Sequence, residues 1–117
     1  YLPLPALLEQ ADVVTLHAPS TPETRHLLNQ DTLGRLKRGA LVVNTARGEL
    51  IDEEALLAAL RSGQVGGAAL DVFAEEPLPV TSGLWDEPDV IITPHAAGGR
   101  PEGASASAAR RKAVFCL

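Results

Sequence analysis

Cysteine is almost missing from this sequence: Cys116 is the only one in 117 residues. No internal disulfide can form, so a reducing compartment, the cytoplasm, is the default expectation. Aromatic residues are scarce too, limited to Tyr1, Phe73, Trp85 and Phe115. The apolar content therefore rests on Leu, Val, Ile and Ala, a palette that suits helices layered on a sheet better than a small β-barrel. No apolar run approaches the roughly 18 residues of a membrane-spanning helix, so no membrane is expected as a partner. The opening "YLPLPALLEQ" has no basic region ahead of its apolar residues and does not read as a signal peptide. Positive charge is outnumbered, 10 Lys and Arg against 15 Asp and Glu for a net charge of −5, which argues against nucleic acid. The basic cluster Arg110-Arg111-Lys112 is too short to reverse that. Methionine is absent altogether and the chain begins at Tyr1. This reads as a piece of a longer product, one domain in size with a modest core.

What is present alternates between two kinds of segment. "ADVVTLHAP" holds a short apolar run, Val13 to Leu16, that reads as a buried strand. "STPETRHLL" offers a helix start with Thr21 as N-cap, Pro22 in the first turn and Glu23 at the favourable end of the dipole. "NQDTLGRLKRG" predicts another short helix, with Lys37 and Arg38 near its end and Gly39 as its stop. "ALVVN" is the second strand. "DEEALLAALRSG" is the clearest helix, capped by Asp52, opened by Glu53 and Glu54, and ended by Gly63. Its Ala55/Ala59 and Leu56/Leu60 rows make one apolar face. "VGGAALDVF" is the third strand, a Pro- and acid-rich loop spans Ala74 to Pro88, and "DVIITP" is the fourth strand. The tail "GGRPEGASASAARRKAVFCL" could open a poor helix and is the only stretch approaching low complexity. Strands alternating with helices imply right-handed crossovers and a parallel sheet. Near-continuous apolar strands fit a sheet covered on both faces. The expected class is α/β, a three-layer fold on a parallel sheet, and about half of one.

Ligands of open parallel sheets sit beyond the carboxyl ends of the strands. Here the four strands run into His17-Ala18-Pro19, Asn44-Thr45-Ala46-Arg47, Asp71 followed by Glu75-Glu76, and Thr93-Pro94-His95. A parallel sheet gathers all four on one edge. Arginine stays charged and grips a carboxylate with two parallel hydrogen bonds. Histidine titrates near neutrality and can exchange a proton with a hydroxyl or carbonyl oxygen. A carboxylate beside it fixes its tautomer and favours its protonated form. The set suits a substrate held by its carboxylate while its alcohol and ketone forms interconvert, with the hydride carried by a cofactor. Each residue also has an ordinary reading. Arg47 could be a surface residue in a strand-to-helix turn, His95 a loop histidine, Glu75 and Glu76 solvated acids, and Asp71 a strand terminator. His17 reads as structural, and His26 as a helix residue facing solvent or packing. The joint placement is the informative signal.

The ordered segments "LVVNTARGELIDEEALLAALRSGQVGGAALDVFAEEP" and "DVIITPH", with "ADVVTLHAPSTPETRHLLN" upstream, resemble the D-isomer-specific 2-hydroxyacid dehydrogenases over about Leu7 to Gly99. The resemblance implies a Rossmann-type domain that binds NAD or NADP and a parent enzyme acting on a small 2-hydroxy or 2-keto acid. It implies that Arg47, in "N-x-x-R-G", binds the substrate carboxylate and polarises the carbonyl. It makes His95 the acid/base and Glu76, rather than Glu75, its support. Asp71 would lie near the nicotinamide, with Ala18, Pro19, Thr45, Ala46, Arg47 and His95 to Gly98 lining the cofactor site. No metal is implied, and the intact parent is expected to be a homodimer. The family's G-x-G-x-x-G phosphate loop does not occur in this sequence and would lie upstream of Tyr1, as would most of the substrate domain. Residues 100–117 depart from the long helix of family members. The chain thus reads as 1–117 of a partial NAD(P)-binding domain with a divergent tail, inactive alone. The alternatives are a non-enzymatic NAD-binding regulatory relative, such as a corepressor, and an inactive gene fragment.

Overall fold

The computed structural model describes residues 2–95. Gly98 and the expected helix of the tail lie outside the described residues.

Four strands, β1 (Val13–Leu16), β2 (Ala40–Asn44), β3 (Val65–Leu70) and β4 (Val90–Ile92), pair in sequence order, and every pairing is parallel. The expected strands and their direction are all present. Their last residues lie in one row across the sheet: Leu16 opposite Asn44, Asn44 opposite Leu70, and Leu70 opposite Ile92. β3 carries an irregularity opposite Ala40/Leu41, where Gly66 is the extra residue. A Cβ on Gly66 would stand 2.4 Å from the Gly39 carbonyl oxygen, so only glycine lets the backbones approach there.

Strand order decides which face is covered. Parallel neighbours joined in sequence by right-handed crossovers send each connection to the same side of the sheet. Helices α2 (Gln30–Gly34) and α3 (Glu53–Ser62) accordingly pack on each other, and α3 packs on β3. The core lies beneath them, with Val42, Leu50 and Leu56 wholly buried. The other face carries Val13 and Leu41, 53% and 46% exposed, with no described helix over it. Among the described residues only one face has a helical layer, as half of a three-layer fold does.

α3 follows the sequence closely. The Asp52 side chain accepts a hydrogen bond from the Ala55 N–H at 3.2 Å, and Gly63 at φ 80° closes the helix in the left-handed region. Leu56 and Ala59 are its buried residues.

Two local expectations fail for identifiable reasons, and one helix goes beyond them. The segment from Thr21 forms turns instead of a helix. The Thr21 carbonyl accepts from Thr24 and Arg25, but His26 turns to φ 50° and its N–H donates to the Glu49 carbonyl at 2.8 Å. Leu28 N–H then donates to the Leu50 carbonyl and Leu28 C=O accepts from Asp52 N–H. These long-range bonds take the backbone groups that a helix would have used. The next helix, α2, is shorter than its sequence signals and ends at Gly34, well before Gly39. Asn29 and Thr32 form a reciprocal cap at its start. Beyond its end, the Gln64 side-chain amide reaches the carbonyls of Leu33, Gly34 and Leu36. Gly39, at φ 86°, turns the chain into β2 instead of ending a helix. Finally, Leu4–Gln10 is a helix, α1, that the sequence reading passed over. Pro3 occupies its N-cap position and Pro5 sits in its first turn, where a missing N–H costs nothing. The long acidic loop is also partly ordered, with a 3₁₀ turn at Gly83–Asp86.

Candidate functional site

The in-register strand ends bring Ala18-Pro19, Thr45-Ala46-Arg47, Asp71 and Thr93 to His95 out of one edge of the sheet. Neighbouring strands lie about 4.8 Å apart, so the ends of β2 and β4 are separated by about 10 Å. Arg47 follows the end of β2 and His95 the end of β4.

Arg47 is presented by a turn whose key residue the sequence reading left without a role. Asn44 ends β2 and is 1% exposed. Its side-chain amide donates to the Arg47 carbonyl at 2.8 Å, and its side-chain oxygen accepts from the Ala46 N–H at 3.1 Å. Asn44 thus satisfies both ends of the turn, and Arg47 emerges from it exposed, its guanidinium donating to the Ala46 carbonyl at 2.8 Å. An Asn at the end of an apolar strand, followed by a short polar run, was the available signal.

Glu76 and His95 meet directly. His95 Nδ1 lies 2.7 Å from Glu76 Oε2. A carboxylate only accepts, so Nδ1 carries the proton and Nε2 is the nitrogen left to face a ligand. Glu76 is held at its other oxygen, where Oε1 accepts from the Phe73 N–H at 3.1 Å. The hydrogen bond from His95 draws the Glu76 carboxyl below the ordinary carboxylate range, aided by the Phe73 N–H and the imidazole's charge. Burial and the neighbouring Asp71 push the other way. His95 sits at φ 56°, a left-handed conformation that a non-glycine residue keeps only where its surroundings hold it. Glu75, also exposed, has no such partnership with His95.

Asp71 does more than end a strand. It is 4% exposed, its N–H donates to the Asn44 carbonyl, and its carboxylate accepts from the Thr93 hydroxyl. Thr93 is a site residue that the sequence reading did not single out. Ala18 is half-buried against the core, and the exposed Pro19 accepts the Thr24 hydroxyl at its carbonyl. Thr45 and Ala46 are half-buried in the Arg47 turn. His17 pairs with its own strand neighbour, Nε2 lying 3.0 Å from Thr15 Oγ1.

The chemistry of these groups is compatible with the nicotinamide end of a dinucleotide. Ala18 and Ala46 project little bulk, Asp71 offers a fixed acceptor at the sheet edge, and a cationic arginine stands beside them. The glycine-rich turn that would take the pyrophosphate does not occur in the sequence.

A parallel sheet with polar groups collected beyond its carboxyl edge defines the nucleotide-binding α/β class. Within that class, the sequence profile described as "D-isomer specific 2-hydroxyacid dehydrogenase, NAD binding domain" matches residues 1–97, and the chain belongs to that family. It is 46% identical over 102 residues to a glyoxylate reductase of Korarchaeum cryptofilum, covering 87% of this chain and 31% of that protein. It is 55% identical over 89 residues to a D-3-phosphoglycerate dehydrogenase of Bacillus subtilis, covering 76% of this chain and 17% of that one. Among solved structures, a D-isomer specific 2-hydroxyacid dehydrogenase from Xanthobacter autotrophicus Py2, in complex with NADPH and MES, superposes with a TM-score of 0.78. It is 52% identical, and the match covers 80% of this chain and 38% of that one. The chain therefore spans a third or less of the length of these curated relatives.

Proposed function

We propose that this chain is the second half of the nucleotide-binding domain of an NAD- or NADP-dependent dehydrogenase that interconverts a 2-hydroxy acid and its 2-keto acid. The observation that carries the reading is the 2.7 Å pairing of His95 Nδ1 with Glu76 at the sheet edge from which Arg47 also emerges. Arg47 binds the substrate carboxylate through paired N–H donors and draws charge from the adjacent carbonyl. NADH or NADPH, when bound, supplies the hydride that the keto carbon receives. His95 gives its Nε2 proton to the carbonyl oxygen, and in the reverse direction Nε2 takes the proton of the alcohol. Glu76 holds the ring in one orientation and tautomer and stabilises its protonated form. Asp71, fixed by Thr93, accepts from the nicotinamide end of the cofactor. In this reading residues 1–117 are a partial domain, and the chain alone does not turn over, because the phosphate-binding turn and the substrate domain belong to other parts of the protein.

The test is NADH and NADPH oxidation by the longer protein with glyoxylate, hydroxypyruvate and pyruvate. His95→Ala is expected to lower kcat by at least about 100-fold, the usual contribution of a positioned acid/base. Arg47→Ala is expected to raise KM and lower kcat/KM, as loss of a carboxylate clamp does. If the wild-type protein reduces none of the three acids, the dehydrogenase reading fails. If the isolated chain reduces any of them, the claim that it is inactive alone fails.

A further inference from the structure

Asp52, Glu53 and Glu54 stand at the start of α3, and the first two have different tasks. Asp52 caps the helix by accepting from Ala55 N–H, which leaves Glu53 free to serve a donor outside the helix. Glu53 Oε1 lies 2.7 Å from the Ala74 N–H, twenty-one residues away in sequence. Ala74 follows Phe73, whose N–H is the donor that holds Glu76 Oε1. The same stretch is clamped from the other side. A Cβ on Gly48 would lie 1.9 Å from the Phe73 carbonyl carbon and 2.5 Å from the Ala74 nitrogen, so the β2–α3 connection presses backbone to backbone on this turn. Two consecutive N–H groups of one turn thus point at two carboxylates. Ala74 is tied to Glu53 at the start of α3, and Phe73 is tied to Glu76, which holds His95.

We propose that Glu53 is a positioning residue for the Glu76–His95 pair, fixing the Phe73–Ala74 turn through the Ala74 N–H so that Glu76 meets His95 Nδ1. Glu53 touches neither substrate nor cofactor in this role. The proposal rests on the dehydrogenase reading for what the pair does, but not for the geometry that couples Glu53 to it.

The experiment follows the Glu76 side-chain carboxyl by ¹³C NMR through a pH titration of this chain, with hydrogen exchange of the Ala74 amide measured alongside. Glu53→Ala is expected to speed Ala74 exchange by about tenfold or more, as a lost hydrogen bond of about 1.4 kcal/mol would. It is also expected to move the Glu76 titration upward, toward the ordinary carboxylate range, because the bonds from His95 and Phe73 loosen. Glu53→Gln keeps an acceptor oxygen and is expected to leave both readouts close to wild type. The sign separates this from simple electrostatics: removing a nearby negative charge without moving the turn would shift Glu76 downward. A Glu76 titration that stays put or falls in Glu53→Ala while Ala74 exchange accelerates overturns the proposal. So does an Ala74 amide that is unprotected in the wild type, and so does an equal upward shift in Glu53→Gln. Should Glu53→Ala not fold, Glu53→Asp keeps the first-turn charge, shortens the reach by one methylene and carries the same expectations. The titration reads the turn alone, so absence of turnover in the longer protein would count against the dehydrogenase reading and leave this result intact.

Discussion

The two faces of the sheet are built from similar residues and meet different surroundings. Val42 and Leu41 are neighbours in β2, yet Val42 is wholly buried while Leu41 is 46% exposed. Alternate residues of a strand point to opposite faces, so β2 samples both environments within one step of chain. Apolar side chains alone do not make a core; the layer above them does. On the covered side that layer comes from connections that cross in one direction, and Leu56, which α3 turns inward, is 0% exposed. The polar edge belongs to neither face, and its groups are held by hydrogen bonds rather than by packing.

The largest effect should come from adding bulk where backbone meets backbone at the turn that carries Glu76. Gly48→Ala places a methyl group 1.9 Å from the Phe73 carbonyl carbon, and backbone cannot swing aside as a side-chain tip can. A loss of about 3 kcal/mol or more in urea unfolding is expected, the upper range for overpacking. A loss under about 1 kcal/mol would mean that the β2–α3 connection yields far more easily than its geometry implies.

Removing the same side chain from each face should separate the two environments directly. Leu56→Ala should cost about 3 kcal/mol, from lost transfer energy and the cavity left behind. Leu41→Ala should cost below about 1 kcal/mol, since much of that side chain already meets solvent. Equal losses in chemical denaturation would show that the second face is covered in solution, and the contrast between the faces would be withdrawn.

The smallest effect belongs to the edge and appears only with pH. The folded Glu76 carboxyl lies below its unfolded value, chiefly because His95 hydrogen-bonds to it. Its contribution to stability is therefore present above the unfolded value of about 4.3 and is lost as the pH falls through the lower folded value. Its side chain is 36% exposed, so solvent screening keeps the contribution small. Stability of Glu76→Gln, measured by denaturation at several acidic pH values, should fall less steeply over that window than wild type. Parallel curves would show that the Glu76–His95 pair does not contribute to folding.

Much of the site was legible because parallel sheets collect strand ends and the strands were easy to read. Arg47, Asp71, Glu76 and His95 followed from apolar runs that stop at polar residues, and the resemblance to the family then separated Glu76 from Glu75. What escaped were the residues whose work is relational. Asn44 and Thr93 stood only among the polar residues at strand ends, and Glu53 as one of two helix-opening acids. Thr93 and Glu53 act through partners that sequence distance hides, Thr93 lying 22 residues from Asp71 and Glu53 lying 21 from Ala74, whereas the side-chain partners of Asn44 are its neighbours Ala46 and Arg47.

By itself the sequence determined the α/β class, the four strands, the capped helix over Glu53–Ser62 and the polar groups waiting at the strand ends. These depend on local periodicity, caps and apolar runs, whose physics is confined to a few neighbouring residues. Only the tertiary structure decided that the segment after Thr21 turns instead of coiling, because its N–H groups find the carbonyls of Glu49 and Leu50. Only the strand order decided that the described connections cover one face. Only the approach of Gly48 to Phe73 revealed what fixes the turn that carries Glu76. Contacts between distant segments are chosen by competition among the many partners a compact chain brings together, and local pattern does not record which partner wins.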